Sequence, residues 1–175
     1  FGQKAIPFEL KSVENKILSL NDLKGEHGTL IMFICNHCPY VKAITKELVE
    51  DATELKKIGI NTVAICSNDF INYPEDSFDN MIKFSNKNQF NFPYLHDETQ
   101  KIAKMYDAVC TPDFFGYNKN LELQYRGRLR ELKNFVPVKD DESDLLKAMK
   151  KIAETEKGPT NQIPSAGCSI KWKYD

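Results

Sequence analysis

Five cysteines are the residues of this 175-residue chain whose spacing points to chemistry. Cys38 directly precedes Pro39 and a predicted helix, and it follows an apolar run that ends at Cys35. Because Pro is favoured at the first helical position, Cys38 is expected at the helix N-terminus. Unpaired N–H groups and the positive end of the helix dipole stabilise a thiolate there, and the thiolate is the nucleophilic form of cysteine. The sequence therefore predicts a reactive Cys38, and the alternative is an inert cysteine buried at a strand end.

Cys35 and Cys38 form a C-x-x-C pair, a spacing shared by redox cysteines and by half of a zinc site. Zinc takes about four ligands, and His37, Cys110 and Cys168 would complete such a site only through long-range folding. The chain has no second C-x-x-C and no H-x-x-x-H. His37 is read as a solvated loop residue, or, if protonated, as a stabiliser of the thiolate. A redox pair is favoured over structural zinc, and no cofactor or metal is expected.

Two further features lie towards the C-terminal half of the chain. Thr111 and Pro112 come just before a predicted hairpin, where a Pro that opens a strand is either cis or, more commonly, trans. Arg126, Arg128 and Arg130 alternate along a predicted strand, so they are expected to share one face. Three like charges on one face typically form a solvated surface, and the alternative is that one of them stabilises a thiolate.

The elements that must position these residues follow from the hydrophobic pattern. Apolar runs at 29–35 and 61–66 predict strands buried on both faces of a parallel sheet. Between them, apolar residues at three- and four-residue spacing from Ile44 to Ile58 predict a helix that ends at Gly59. Strand, helix and strand make a right-handed βαβ unit.

The other segments are a strand pair, helices and a hairpin. They are strands at 8–10 and 16–20, a helix at 76–88, a strand at 93–95, a helix at 98–107 capped by Asp97 with Gln100 in a capping box, a hairpin of 113–118 with 121–128, and a helix at 142–156 capped by Asp141. Residues 159–175 form a tail without periodicity. The order predicts an α/β fold, a three-layer sandwich with a mixed sheet, an N-terminal β-hairpin extension and a C-terminal tail, in one domain over 1–175.

Composition excludes several classes of protein. Lys and Arg number 24 against 25 Asp and Glu, and the net charge of −1 gives no field that would attract nucleic acid or an anionic membrane. The longest apolar stretch, 30–35, is far too short to span a bilayer. No signal peptide is visible, which favours a cytoplasmic protein, although a chain that starts at Phe1 leaves an exported form as the alternative. Five cysteines are too few for a disulfide scaffold.

These residues, in this order, resemble the thioredoxin superfamily and in particular its peroxiredoxin-like branch (AhpC/TSA, redoxin). Residues 2–10 are similar to the peroxiredoxin opening G-x-x-A-P-x-F-x-L, residues 19–25 to S-L-x-D-L-K-G, and residues 92–97 to F-P-L-L-x-D. Thr111–Pro112 matches the T-P of the cis-proline loop. The motifs N-H-C-P-Y-V-K, V-C-T-P-D-F-F and G-C-S-I-K-W together resemble one peroxiredoxin-like group. The resemblance implies a thioredoxin-like fold in which a cis Pro112 faces the active cysteine.

The resemblance also implies roles for single residues. Cys38 falls on the attacking cysteine, and Val41 falls where thioredoxins place their second cysteine, so the usual resolving partner is absent. Cys35 occupies the position of the peroxiredoxin threonine that orients the peroxide. The absence of that hydroxyl argues against efficient peroxidase activity. The activating arginine of the family corresponds to Arg126 or Arg128.

A Cys38 that attacks a peroxide or a disulfide needs a second thiol to resolve the product. Cys110 ranks first, because it lies beside the cis-proline loop. Cys35 comes next, since it is close in sequence but expected inside a strand, and Cys168 in the tail is third. Cys66 ends the second buried strand and is predicted as a core residue.

The sequence thus predicts a thiol–disulfide oxidoreductase or a peroxiredoxin-like antioxidant enzyme. Its substrate would be a peroxide or a disulfide, and a reducing thiol such as thioredoxin or glutathione would recycle it. The alternative is a non-catalytic redox sensor or binding module on the same fold, because the second cysteine and the threonine are both missing.

Overall fold

A mixed seven-stranded sheet runs through the computed structural model, which describes residues 1–173. In chain order the strands are β1 (Glu9–Ser12), β2 (Ile17–Ser19), β3 (Gly28–Phe33), β4 (Ile60–Cys66), β5 (Tyr94–His96), β6 (Cys110–Thr111), β7 (Asp113–Asn118), β8 (Leu123–Gly127), β9 (Leu132–Lys133), β10 (Val136–Pro137) and β11 (Cys168–Ser169). The main sheet has the order β2-β1-β5-β4-β3-β7-β8. Its centre, β3, β4 and β5, is parallel, and the remaining neighbours pair antiparallel. The N-terminal hairpin β1–β2 continues the sheet at one edge, because β1 pairs with β5.

Helices cover both faces of this sheet. They are α1 (Leu20–Leu23), α2 (Pro39–Lys42), α3 (Thr45–Lys57), α4 (Phe78–Lys87), α5 (Lys101–Met105) and α6 (Asp144–Thr155), with a 3-10 turn at Pro74–Asp76. No helix among residues 1–173 has the length and apolarity needed to cross a membrane.

Strand β3 shows why the two faces form two hydrophobic clusters. Leu30 and Met32 face the side where α3, α4 and α6 pack, and Ile31 and Phe33 face the side of α1 and α5. All six residues of the strand are buried, as the uninterrupted apolar run predicts for a strand covered on both sides. The predicted three-layer sandwich with a mixed sheet is confirmed.

The helix starts differ from the sequence predictions where a side chain has a stronger partner. The predicted helix after Cys38 is two helices, α2 and α3, separated at Ala43–Ile44. Helix α6 is capped by Ser143, whose hydroxyl accepts from the Leu146 N–H, so the predicted Asp141 cap is wrong. The Asp141 carbonyl instead accepts a hydrogen bond from Arg130.

The capping box predicted for α5 is also wrong. The Asp97 carboxylate does accept hydrogen bonds from the backbone N–H groups of Ile102 and Ala103, at 3.2 and 2.9 Å. Gln100 makes no cap hydrogen bond and adopts a left-handed backbone conformation. Its side chain is fully buried and points to the C-terminal tail.

The tail is an ordered segment, here named the C-terminal strap (163–173), and it forms a separate two-stranded sheet with β6. Strand β11 pairs antiparallel with β6, so that Cys168 lies opposite Thr111. The Gln100 amide donates to the Lys171 carbonyl at 2.8 Å, and its oxygen accepts from the Lys173 N–H at 2.9 Å. Ile170 of the strap is buried in the hydrophobic cluster on the α1 and α5 side of the sheet. One buried glutamine thus binds the strap to the body of the fold.

We expect Gln100→Ala to lower the free energy of unfolding by about 1–3 kcal/mol, because the Ser67 carbonyl and the Lys173 N–H lose their hydrogen bonds to the Gln100 amide. The variant should also speed amide hydrogen exchange at 168–173, measured by mass spectrometry. Gln3→Ala, at an exposed glutamine, is the control and should change neither quantity. Unchanged exchange in the Gln100 variant would contradict the role given to this side chain.

Candidate active site

Cys38 lies at the N-cap of α2 and has 0% exposure to solvent. Its backbone is extended, and Pro39 occupies the first helical position, as the Cys-Pro sequence predicts. In its thiol form, Cys38 Sγ donates to the Thr111 carbonyl at 3.3 Å. The nucleophile candidate is therefore held between a helix start and the loop before β7.

Thr111 and Pro112 form the opposite wall of the site. The peptide bond between them is cis, in agreement with the expectation drawn from the motif. The Thr111 carbonyl accepts from Cys38, and its Oγ1 lies 3.5 Å from Cys35 Sγ. One threonine thus contacts both members of the C-x-x-C pair.

The pKa of Cys38 is lowered from about 9 to about 4. The largest cause is a hydrogen bond from the Cys35 thiol, which outweighs the opposing effect of burial. The Cys168 thiol and the backbone N–H groups of Val41 and Cys168 add further donors. Helix α2 has only four residues, so these local donors, rather than the dipole of a long helix, stabilise the thiolate. At neutral pH Cys38 is accordingly ionised.

Cys35 keeps its proton. Donation to the Cys38 sulfur raises the pKa of Cys35 well above its ordinary value, and burial and the negative charge of Asp76 act in the same direction. The side chain is almost fully buried. Cys35 is therefore a proton donor to the thiolate.

The two cysteines on the paired strands β6 and β11 point to different partners. Cys168 reaches Cys38, and its pKa is raised to about 11 by burial and by donation to the Cys38 sulfur. Cys110 Sγ instead donates to the Pro112 carbonyl at 3.4 Å, and burial with the nearby Asp113 charge raises its pKa to about 12. Since Thr111 faces Cys38, its strand neighbour Cys110 points elsewhere. The structure brings Cys35 and Cys168 together with Cys38, which is not the order expected from the sequence.

Cys66 lies in the core, as predicted. It is completely buried at the end of β4, and burial raises its pKa to about 12. All five cysteines are free thiols.

The three arginines do not share one face, because β8 ends at Gly127 and the strand alternation stops there. Arg126 stacks on the Phe115 ring at 4.5 Å and binds Asp113 at 3.0 Å. Arg128 and Arg130 bind carboxylates of the helices on the other face: Asp144 of α6 at 2.7 Å and Glu47 of α3 at 2.7 Å. The main stabilisers of the Cys38 thiolate are thiols and backbone amides, so neither Arg126 nor Arg128 is placed at the sulfur.

A buried carboxylate that the sequence analysis does not single out lies behind the C-x-x-C loop. Asp76, with 0% exposure, accepts from the Asn36 N–H at 2.8 Å and from the Asn68 amide at 2.9 Å. His37 Nδ1 lies 2.7 Å from its Oδ2, and the donor atoms of Cys35, His37 and Asp76 all lie within 4.8 Å of one another. The two amide donors fix the position of the carboxylate. No local pattern marks Asp76, since its partners come from distant parts of the chain.

The lowered pKa predicts that the thiolate absorbance of the reduced protein titrates in one step near pH 4, and that Cys38→Ser loses this step. Cys35→Ala should move the midpoint to higher pH, because the strongest donor to the thiolate is gone. Cys66→Ala is the matched control at a buried cysteine and should leave the midpoint in place. A wild-type midpoint near pH 9 would contradict the assignment of Cys38 as a thiolate at neutral pH.

Several known proteins share this architecture. An uncharacterized conserved protein from Geobacillus kaustophilus is 45% identical, with a TM-score of 0.93 over 99% of this chain and 93% of its own. A hypothetical protein from Sinorhizobium meliloti is 33% identical, with a TM-score of 0.91 over 99% of this chain and 95% of its own. Both likenesses extend over the strap as well as the sheet.

A more distant likeness is to the peroxidoxin BcpB from Mycobacterium tuberculosis, at 15% identity and a TM-score of 0.61 over 87% of this chain and 92% of that one. The fold is that of thioredoxin domains. No curated protein matches the chain. The family model described as AhpC/TSA family matches residues 1–132, about three quarters of the sequence. The chain belongs to the AhpC/TSA family.

Proposed function

We propose that this protein is a thiol-dependent oxidoreductase that reduces a small hydroperoxide, with Cys38 as the attacking thiolate and Cys168 as the resolving thiol. One observation carries the proposal: a fully buried Cys38, with its pKa lowered to about 4, accepts hydrogen bonds from two other thiols. Such a sulfur is nucleophilic at neutral pH, and a second cysteine is within reach to complete the reaction. Membership of a thiol redox family supports it.

Access to the sulfur favours a small oxidant. Cys38 has no solvent exposure while the strap is docked, so a protein disulfide reaches it only after the strap moves. A hydroperoxide requires far less space. The threonine of the peroxiredoxin pattern is replaced by Cys35, but the Thr111 hydroxyl lies 3.5 Å from that sulfur and puts a hydroxyl next to the cysteine pair.

The proposed reaction has two steps on the enzyme. The Cys38 thiolate attacks the terminal oxygen of the hydroperoxide, the O–O bond breaks, and the leaving alkoxide takes a proton from the Cys35 thiol, which then regains a proton from solvent. Cys38 becomes a sulfenic acid. Cys168 then attacks the Cys38 sulfur, water leaves, and a Cys38–Cys168 disulfide forms. An external thiol of the thioredoxin or glutathione class returns both sulfurs to thiols and is itself oxidised to a disulfide.

Cys168 suits the resolving role better than its two competitors. Cys35 is held inside the fold, and the Asp76 charge opposes its ionisation. Cys110 is turned to the Pro112 carbonyl. Cys168 lies on a short strap strand, contacts Cys38 and is only half-buried, so an external reductant can attack the disulfide from the Cys168 side.

Thiol–disulfide exchange is a second candidate, favoured by a cleft of about 360 Å³ beside the cis-proline loop. Tyr40 and Pro112 form one wall of it, Leu132 another, and strap residues 163–166 a third. A substrate segment that displaced the strap would find apolar surface next to Cys38. The redox-sensor alternative differs from both in supporting a single oxidation without turnover.

We expect Cys38→Ser to abolish hydroperoxide consumption driven by a thioredoxin or glutathione system, because the only ionised thiol is lost. Turnover is measured as oxidation of the reduced nicotinamide cofactor of the recycling system. Cys66→Ser is the control at a cysteine outside the site. Full turnover by the Cys38 variant would overturn the proposal, and a single wild-type turnover would identify a sensor.

Mass spectrometry after one equivalent of peroxide should find a Cys38–Cys168 disulfide in the wild-type chain. In Cys168→Ser the resolving thiol is gone, so Cys38 should accumulate as a sulfenic acid that dimedone traps. Cys110→Ser, at the neighbouring strand, should still form the disulfide. A disulfide from Cys38 to Cys35 or Cys110 in the wild-type chain would show that Cys168 does not resolve.

A further inference from the structure

A cleft of about 480 Å³ opens beside the loop that leads into Cys38. Its lining joins Asn36 and His37 of that loop, Lys42 at the end of α2, and one face of α4 with Lys83 and Lys87. Cys38 itself does not line the cleft. The volume lies in the range of about 300–1,000 Å³ that small-molecule sites occupy.

Three ammonium groups around this cleft have no partner. Among residues 1–173, the side chains of Lys42, Lys83 and Lys87 form no ion pair and no hydrogen bond, and all three are exposed. Lys57 by contrast is paired with Glu54 at 3.0 Å. In the part of the chain that the structure describes, other exposed lysines, such as Lys101 and Lys157, are unpaired as well but do not line this cleft, so what distinguishes the three is that they converge on one cavity. Because like charges repel, three unpaired cations around one cleft favour an anion between them.

The carboxylates near the cleft are fewer than the cations. Glu75 is the acidic residue of the lining, and the buried Asp76 lies behind His37, which it contacts at 2.7 Å. The chain as a whole has a net charge of −1, so the positive cleft is a local feature and not a consequence of a basic protein. Opposite charge draws small anions into a concave site.

The walls of the cleft are held in place by hydrogen bonds that use the side-chain amides. The Asn36 amide donates to the Glu75 carbonyl at 3.0 Å, and its oxygen accepts from the Tyr94 hydroxyl at 2.7 Å. The Asn88 amide donates to the Phe84 carbonyl at 2.9 Å. The cavity is thus largely formed before a ligand arrives, and the lysines remain as its free binding groups.

We propose that this cleft binds a small polyanion that carries two or more carboxylate or phosphate groups. Ammonium groups recognise both kinds of anion as point charges, and their placement on two helices, α2 and α4, favours a ligand with more than one anionic group. A bound ligand would bridge Lys42, which ends the helix that starts at Cys38, to the rigid α4. The site does not depend on the proposed reaction, since it is defined by charge and shape alone.

Isothermal titration calorimetry of the full chain at low salt tests this with pyrophosphate and citrate on the reduced protein, and with glutathione disulfide on Cys38→Ser, which lacks the thiolate that would react with a disulfide. Acetate is the monoanion control. We expect at least one polyanion to bind in the micromolar to millimolar range and acetate not to bind. Lys83→Gln/Lys87→Gln should weaken that binding at least tenfold. Lys101→Gln/Lys157→Gln, which removes two exposed lysines outside the cleft, should leave it unchanged.

The probes separate the sources of the anion. Binding of pyrophosphate alone identifies a phosphate-bearing ligand, and binding of citrate or glutathione disulfide identifies a polycarboxylate. Cys38→Ser should bind as well as wild type, so failure of the proposed reaction leaves this result intact. No binding by any polyanion, or equal weakening by both lysine pairs, would overturn the proposal. Equal unfolding midpoints establish that the variants are folded.

Discussion

A buried thiolate is the constraint on which the site depends. Cys38 has no solvent exposure, and an ion removed from water without partners is destabilised by several kcal/mol. The hydrogen-bond donors that stabilise the buried charge come from three separate parts of the chain: Cys35 after β3, Val41 in α2, and Cys168 in the strap. The sheet, the short helix and the strap thus each contribute to the lowered pKa of Cys38. The reactivity proposed for Cys38 is in this sense a property of the assembled fold and not of the Cys-Pro sequence alone.

Thr111 is where these three parts meet. Its carbonyl lies 3.3 Å from Cys38 Sγ, its hydroxyl contacts Cys35, and its backbone pairs with Cys168. The same arrangement gives the thiols different protonation states, because each neighbour that donates to Cys38 retains its own proton more firmly. The proposed reaction uses one nucleophile and two proton-bearing neighbours, and Thr111, the residue before the cis-proline, contacts all three cysteines.

Local patterns in the sequence predict most of the sheet and the identity of Cys38. The apolar run of β3 indicates a doubly covered strand, and the Cys-Pro step indicates a helix start. Contacts between distant residues are out of reach of such patterns. Gln100 has the spacing of a capping residue, yet it binds a strap 71 residues further on. Arg126 and Arg128 have the two-residue spacing of neighbours on one face of a strand. Because β8 ends at Gly127, between them, their side chains lie on opposite faces of the sheet. Cys168 carries no periodic signal at all, and only the pairing of β11 with β6 brings it to Cys38.

The strap then links three properties of the site. The docked strap supplies Cys168 as a hydrogen-bond donor, which lowers the pKa of Cys38. Its residues 163–166 line the cleft beside the cis-proline. In the proposed reaction the hydrogen bond between Cys168 and Cys38 is replaced by an S–S bond, so the strap stays at the site in the oxidised form as well. Gln100 and the Asn68 oxygen hold the strap near Lys171 in both forms. In the proposed reaction one segment therefore limits the size of the substrate, stabilises the Cys38 thiolate and supplies the resolving thiol. This segment is bound at one end by polar contacts that oxidation does not change.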